Sequence, residues 1–444
     1  MLKLGCIADD FATATDVANN LVAAGMRVVL TRSVPQAPLE AAFADADAVV
    51  VALTTRLCPP PEAVLRTLNA LVWLKAEGAL QIYFAFSPTF DSRYAEAQPG
   101  NIGPVIDALM GALQTNFTLV CPAFPELQCT VFKGHLFVGD ALLHESGMQN
   151  HPLTPMADAS LLRVLGAQTQ KRIDRIDQVQ VAESSVAIQE RMVQLRLQHV
   201  EIALADACST DDLLRLGAAI RGMPLLAASP GIALGLPQNF DILPTDHSGV
   251  LPLGTGFSAV VCGSCSEVSA EQVQKFHALG HPAMAIDPLK VAKFGAARVA
   301  QAAATWAAPL LKRGPVMLYS TADAKAVQSV QSLLGIEDSA KLVSHCLAET
   351  ACALVQSGVR QLIVGGSTTS QWCAKGLGLS QLRVGTQIDP GAFWCYANQL
   401  PPLVPGSDPP HTEPDPNSAG LHICFKPGNA GADDFFVRAF DMLR

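Results

Sequence analysis

Short apolar runs recur along the whole chain, each followed by a turn and then by an amphipathic stretch. No other feature of the sequence constrains the fold as much. A strand buried on both faces reads as an unbroken apolar run, and a covering helix reads with a 3.6-residue period. Their alternation predicts parallel sheets flanked by helices. Strands are expected at Lys3–Ala8, Arg27–Thr31, Ala48–Leu53, Leu80–Phe86, Thr118–Cys121, Val200–Ala205 and Pro224–Ala228. Helices are expected over 13–24, 61–76 and 104–113. A segment dense in glycine and proline runs from Gly231 to Gly256, and the alternation then restarts. Strands are expected over 258–262, 282–286, 315–319, 361–364 and 421–425. The helices between and after them cover 267–279, 289–307, 323–357, 368–377 and 432–443.

A chain of 444 residues exceeds what one hydrophobic core usually serves. The expected fold is therefore α/β with two domains, each a largely parallel sheet flanked by helices, and a cleft between them. The first domain is assigned to 1–235, a linker to 236–256 and the second domain to 257–444. Two segments break the rhythm. Residues 122–157 are rich in Pro, Gly and His and too long for an ordinary connection, which marks them as functional or disordered. Residues 400–416 read as a proline-rich loop.

Composition excludes several classes. A net charge of −9 argues against wrapping nucleic acid or lying on anionic lipid. Mean hydropathy is +0.28, yet no unbroken apolar run is long enough to span a bilayer. Asp9 and Asp10 arrive before a signal-peptide core could form, so a cytoplasmic protein is expected. The 12 cysteines sit mostly in apolar runs and are expected to be free thiols. The lone CxxC at Cys262–Cys265 has no second pair or histidines to complete a metal site.

Ligands of open α/β sheets bind at the carboxyl ends of strands, so strand-to-helix turns are the places to search. Asp9 and Asp10 close the first strand and face a helix start, where they could order a hydroxylated ligand, hold Mg²⁺ or simply cap the helix. Asp91, in the turn Thr89-Phe90-Asp91-Ser92, could accept the proton of an attacking hydroxyl or form a local turn. In the second half, Gly365-Gly366-Ser367-Thr368 follows an apolar strand, as do Lys426-Pro427-Gly428 and Gly263-Ser264-Cys265. Glycine lets the backbone approach an anion, and exposed N–H groups at a helix start bind it. Each turn alone is more often structural; three in one domain favour a phosphate-bearing ligand such as ATP. No Walker A, GxGxxG, HExxH or GxSxG pattern is present in its required context.

Taken in order, these turns resemble those of the four-carbon acid sugar kinase family, most closely its 3-oxo-tetronate branch. The matching segments are IADDFATATDVANNLVAAGM, TFDS with PGNIGPV, CPAFPE with KGHLFVGDALLHESGMQNHPLTPM, GSCS, LIVGGSTTS, VGTQIDPGAFW and FKPGNAGADDFF. They extend over nearly the whole chain. The resemblance implies an N-terminal sugar-acid domain and a C-terminal nucleotide domain, with transfer of the ATP γ-phosphate to the terminal (4-) hydroxyl of a four-carbon sugar acid. It assigns ATP contacts to Ser264, Gly365, Gly366, Ser367, Thr368 and Gly428, with Mg²⁺ as the accompanying ion. It assigns catalysis to Asp9, Asp10 and Asp91. Arg56, Ser92 and His135 fall at the substrate end, Arg56 as a bidentate partner of the ligand carboxylate. The expected partner is a small sugar acid, not nucleic acid or membrane, and a homodimer is left open. Several positions depart from the family pattern, among them Ala12-Thr13-Ala14, Ala228-Ser229-Pro230-Gly231 and the PGNAG turn; Ala85 and Cys129 stand where basic residues are usual, and Ser367 where a glutamate is usual. They support a second expectation, a catalytically impaired protein that binds nucleotide or sugar acid.

Overall fold

The run Ala48-Val49-Val50-Val51-Ala52 illustrates why this chain builds central parallel strands. All five residues are buried in a computed structural model of the protein, so neither face of the strand meets water. Each fully buried Val contributes roughly 1.5 kcal/mol or more. The structure describes residues 2–92, 100–151, 153–245, 247–321, 324–398, 400 and 420–443. Pro99 of the predicted PGNIGPV turn and nearly all of the proline-rich segment 400–416 lie outside them. The chain divides into two compact units, Met1–Gly249 and Val250–Arg444.

The first unit carries eight strands in the order Val28–Thr31, Ala48–Ala52, Leu4–Ala8, Gln81–Ala85, Leu225–Ala228, Thr118–Cys121, Ile202–Ala205 and Ile173–Ile176. Every pairing among them is parallel. The helix Phe11–Ala23 follows the central strand and buries Ala14, Val17, Ala18 and Leu21, a stripe at helical spacing. Asp10 starts it by accepting the Thr13 N–H at 2.7 Å. The edge strand Ile173–Ile176, sequence IDRI, is not anticipated from the sequence. Its charged residues suit a sheet edge and break the apolar run.

Residues 122–157 are not an unstructured loop. They form a small antiparallel sheet of Cys129–Phe132, His135–Val138 and Ala141–Leu142, followed by two 3₁₀ turns. Residues 230–240 also adopt two 3₁₀ turns, largely buried.

The second unit orders its strands as Ala283–Ala285, Val316–Tyr319, Phe257–Cys262, Val359–Gly365, Leu421–Lys426, Ala392–Ala397 and Gln381–Asp389. The first five run parallel, and the last two add antiparallel. Neither antiparallel strand is anticipated from the sequence: QLRVGTQID mixes polar and apolar residues without a clean period, whereas AFWCYA is an apolar run with no helical pattern after it to mark a strand–helix alternation. A core of Val260, Ile363, Cys424, Trp394, Phe276, Phe435 and Phe436 joins this sheet to its helices. All 12 cysteines are free, and Cys208 and Cys265 are exposed rather than buried. Among the described residues, no helix is long and apolar enough to cross a membrane.

Candidate functional site

Three adjacent parallel strands of the first unit end side by side, and their turns hold the acidic residues. Asp9 and Asp10 follow Leu4–Ala8, Arg56 follows Ala48–Ala52, and Asp91 follows Gln81–Ala85. Backbone bonds fix the turns to one another: Thr55 N–H donates to the Asp9 carbonyl at 2.8 Å, and Asp9 N–H donates to Ala85 at 3.0 Å. Arg56 is the hub. Its Nη2 lies 2.6 and 2.7 Å from the two Asp91 carboxylate oxygens, its Nε 3.2 Å from Asp91, and its Nη1 2.9 Å from Asp10 Oδ2. Arg56 therefore engages protein carboxylates with the fork that the resemblance assigns to a ligand.

Asp91 has no exposed surface, yet it is fully satisfied. Besides Arg56, the hydroxyls of Thr89 and Thr154 donate to it, Thr154 at 2.6 Å. Burial pushes its pKa up, but the Arg56 charge and these bonds outweigh burial and hold it below the ordinary value. Asp9 is the opposite case. It is buried, neither carboxylate oxygen has a hydrogen-bond partner among the described residues, and burial reinforced by Asp10 outweighs the Arg56 charge and pushes it up to about 8. Asp16, on the helix that Asp10 caps, is raised to about 7, chiefly by burial and then by Asp10. One cluster thus holds a firmly ionised carboxylate and two that retain protons near neutrality.

Ser92 is buried beside this cluster and accepts the Asn101 N–H at 3.0 Å. Asn101 in turn donates its side-chain amide to the carbonyls of Thr55 at 2.8 Å and Cys58 at 2.9 Å, holding the Arg56 turn. His135 stands apart on the small antiparallel sheet, with Nδ1 3.0 Å from the Lys133 carbonyl. No hydrogen bond among the described residues joins it to the acidic cluster. A different histidine approaches instead: His151 Nδ1 lies 2.7 Å from the Thr154 hydroxyl that serves Asp91. Thr154 and His151 were not singled out in the sequence. Their only signal was position in the long segment 133–156.

In the second unit the three glycine turns also follow adjacent parallel strands, Phe257–Cys262, Val359–Gly365 and Leu421–Lys426. Gly263 N–H donates to Gly365 at 2.9 Å, and Gly366 N–H donates to Lys426 at 2.8 Å. Gly366 has φ +103°, a conformation natural only to glycine, and it opens the helix Ser367–Gly376. At Gly428 a Cβ would meet Ser264 Oγ at 2.5 Å, so a larger residue there would have to displace that side chain. Together these turns wall one end of a cavity of about 830 Å³, lined by Ser264, Gly366, Ser367, Thr368 and Gly428. The other walls mix apolar residues, including Ile286, Val327, Val330 and Val343, with polar ones, among them Asp287, Gln331, Ser339 and Ser344. Gly365 lies behind this wall, within the strand. Ala85 is buried within its strand and Cys129 is buried on the antiparallel sheet, while Ser367 lines the cavity.

Residues 4–236 match the family model of a sugar-binding N-terminal domain, and residues 259–436 match that of a nucleotide-binding C-terminal domain. A sugar-binding unit joined to a nucleotide-binding unit is the build of a small-molecule phosphotransferase. The chain belongs to the four-carbon acid sugar kinase family. It is 44% identical over 444 residues to a 3-oxo-tetronate kinase of Cupriavidus necator, covering 99% of this chain and 97% of that one. A 3-oxo-tetronate kinase of Salmonella typhimurium is 35% identical, with 99% of each chain covered. The crystal structure of a Haemophilus influenzae protein superposes with a TM-score of 0.86 at 31% identity, covering 99% of this chain and 100% of that one.

Proposed function

We propose that the protein is an ATP-dependent kinase that phosphorylates the terminal (4-) hydroxyl of a 3-oxo-tetronate or a related four-carbon acid sugar. The observation that carries this reading is the glycine-walled cavity of about 830 Å³, in a chain whose full length aligns with kinases of that description. In this reading 1–235 binds the sugar acid and 257–444 binds ATP, with 236–256 between them. The adenine and ribose occupy the apolar part of the cavity. The phosphates meet the turns of Ser264, Gly365–Thr368 and Gly428, whose short side chains leave the backbone N–H groups open.

Phosphoryl transfer asks for positioning and charge balance more than for covalent chemistry. Asp91, kept ionised by Arg56, holds that arginine in place at the substrate end. Asp9, poised near the working pH, takes the proton of the attacking hydroxyl. Asp10 and Arg56 bear on the substrate end, Asp10 being the more accessible partner of the arginine. Ser92 braces the neighbouring turn, and His135 is assigned to the substrate side. No group of three His, Cys, Asp or Glu among the described residues forms a metal cage. That fits Mg²⁺ carried mainly by nucleotide phosphates and water, with the hydroxyls of Ser264, Ser367 and Thr368 as available oxygen donors. The ion would neutralise charge on the transferring phosphoryl group. The cytoplasm is the assigned location, and a homodimer is the assembly that light scattering would test.

Binding without chemistry, the second expectation raised by Ala85, Cys129 and Ser367, draws no support from the relatives, which are described as kinases. The test is ADP release by the purified chain over a panel of 3-oxo-tetronates and other four-carbon hydroxy acids. Turnover with a 3-oxo-tetronate and a 4-phosphorylated product is expected. Folded protein that releases no ADP above background with any of them would sink the proposal.

A further inference from the structure

Among the described residues the nucleotide cavity is lined by no Lys, Arg or His and by one carboxylate, Asp287, although a triphosphate brings several negative charges. One cation sits directly behind its wall. Lys426 ends the strand Leu421–Lys426 and has no exposed surface. Among the described residues no carboxylate pairs with it. Its ammonium instead donates to the carbonyls of Pro427 at 3.0 Å and Gly428 at 3.2 Å, with Ser269 Oγ at 3.5 Å. A buried ammonium without a counter-ion is costly, so a site that keeps one has a use for the charge.

The geometry indicates the use. The Gly428 carbonyl accepts three donors from the interior: Lys426 Nζ, Ser266 Oγ at 2.7 Å and Ser269 Oγ at 2.9 Å. In a trans peptide the following N–H points opposite to the carbonyl, and the described chain contains no cis bond. With the carbonyl pinned inward, the Asn429 N–H must point outward. Asn429 is exposed, lines the cavity, and its N–H has no backbone partner among the described residues.

We propose that Lys426 is a positioning residue for the nucleotide phosphates: it pins the Pro427 and Gly428 carbonyls inward, turns the Asn429 N–H toward the ligand, and supplies positive charge directly behind the cavity wall. This rests on the reading of the cavity as a nucleotide site. Burial lowers the Lys426 pKa to about 8. The titratable groups facing it are the thiols of Cys262 and Cys424, both raised by burial and hence neutral. Ser269, Phe435 and Phe436 complete its surroundings, and Asp389, which bears on Cys424, is paired with Arg438 at 2.7 Å. Bound phosphates stabilise the ammonium, so nucleotide affinity should be level below about pH 8 and fall as the pH rises through it, by up to about tenfold per unit.

The test is calorimetric binding of Mg·ATP and of adenosine to the wild-type chain between about pH 7 and 10, and to Lys426→Met. Expected results are an ATP affinity that falls above about pH 8 in the wild type, and an affinity about tenfold or more weaker and pH-independent in Lys426→Met. Adenosine, which has no phosphate, should bind both alike at every pH. A level wild-type profile for ATP overturns the inference, as does a variant that retains ATP or loses adenosine to the same extent. If Lys426→Met does not fold, the wild-type pH series decides alone. Wild-type protein that binds no ATP at any pH overturns the nucleotide reading itself.

Discussion

Asp9 and Asp91 are the same residue type a few ångströms of backbone bonding apart, yet their environments drive them in opposite directions. The Asp9 carboxylate lacks a hydrogen bond among the described residues and is raised to about 8, whereas Asp91 has Arg56 and two threonines and is lowered. For Asp9, ionisation costs folded-state stability over the interval from its ordinary value of about 3.9 up to about 8, so stability falls as the pH rises through that window. Asp9→Asn should therefore raise the melting temperature at pH 8, with the gain vanishing towards pH 4. It should also lower turnover by about 10²-fold or more, because the proton acceptor is gone. Scanning calorimetry with the ADP-release assay reads both. For Asp91 the sign is reversed: its contribution is present above the ordinary carboxylate range and is lost as the pH falls below about 4. Arg56→Met leaves that buried carboxylate without its cation and should cost about 3 kcal/mol in urea denaturation, with binding of the sugar acid lost.

At the scale of elements, the small antiparallel sheet is tied to the main one through a buried carboxylate and a backbone pair, Val131 with Ala207. Asp206, at the end of the strand Ile202–Ala205, has no exposed surface and accepts the N–H groups of Lys133 and Gly134 at 2.8 Å and of Gln178 at 3.2 Å. Asp206→Ala would strand these three donors, so a loss of about 2–4 kcal/mol is expected by urea denaturation. Amide exchange should quicken first in residues 129–142, because their anchoring turn is the one released. Unchanged exchange there would show that the sheet is held by its packing and the Val131–Ala207 pair alone. The helix Ser367–Gly376 depends on a different device. Gly366 supplies the positive φ that turns the chain from strand to helix, and the helix start faces the cavity.

For the whole molecule, the two units are each compact, and each is assigned its own ligand. Ligand binding stabilises the unit that holds it, by about 2.7 kcal/mol at a hundred times the dissociation constant. Mg·ATP should thus raise a calorimetric transition belonging to 250–444, and a four-carbon sugar acid one belonging to the first 249 residues. Following each transition by hydrogen exchange assigns it to its unit. If either ligand protects only the other unit's amides, the assignment of the two halves is reversed.

Much of the fold was legible because its signals are local. The apolar runs at Leu4–Ala8, Ala48–Ala52 and Val359–Gly365 needed only their neighbours in sequence to be read as buried strands. The glycine turns after Cys262, Gly365 and Lys426 stood out through residue type alone, since glycine and small hydroxyl residues leave backbone N–H groups open, and they wall one cavity. Polar strands at sheet edges, such as Ile173–Ile176, escaped that reading because their pairing partner, not their own pattern, makes them strands. Tertiary structure alone decided which charges meet. It set Thr154 on Asp91 across 63 positions and placed Arg56 between two aspartates. It also left the Asp9 carboxylate without a hydrogen bond among the described residues and sealed Lys426 behind the cavity wall. The physical reason is that backbone preference acts over a few residues, whereas desolvation and charge pairing depend on whatever the packed chain brings within a few ångströms.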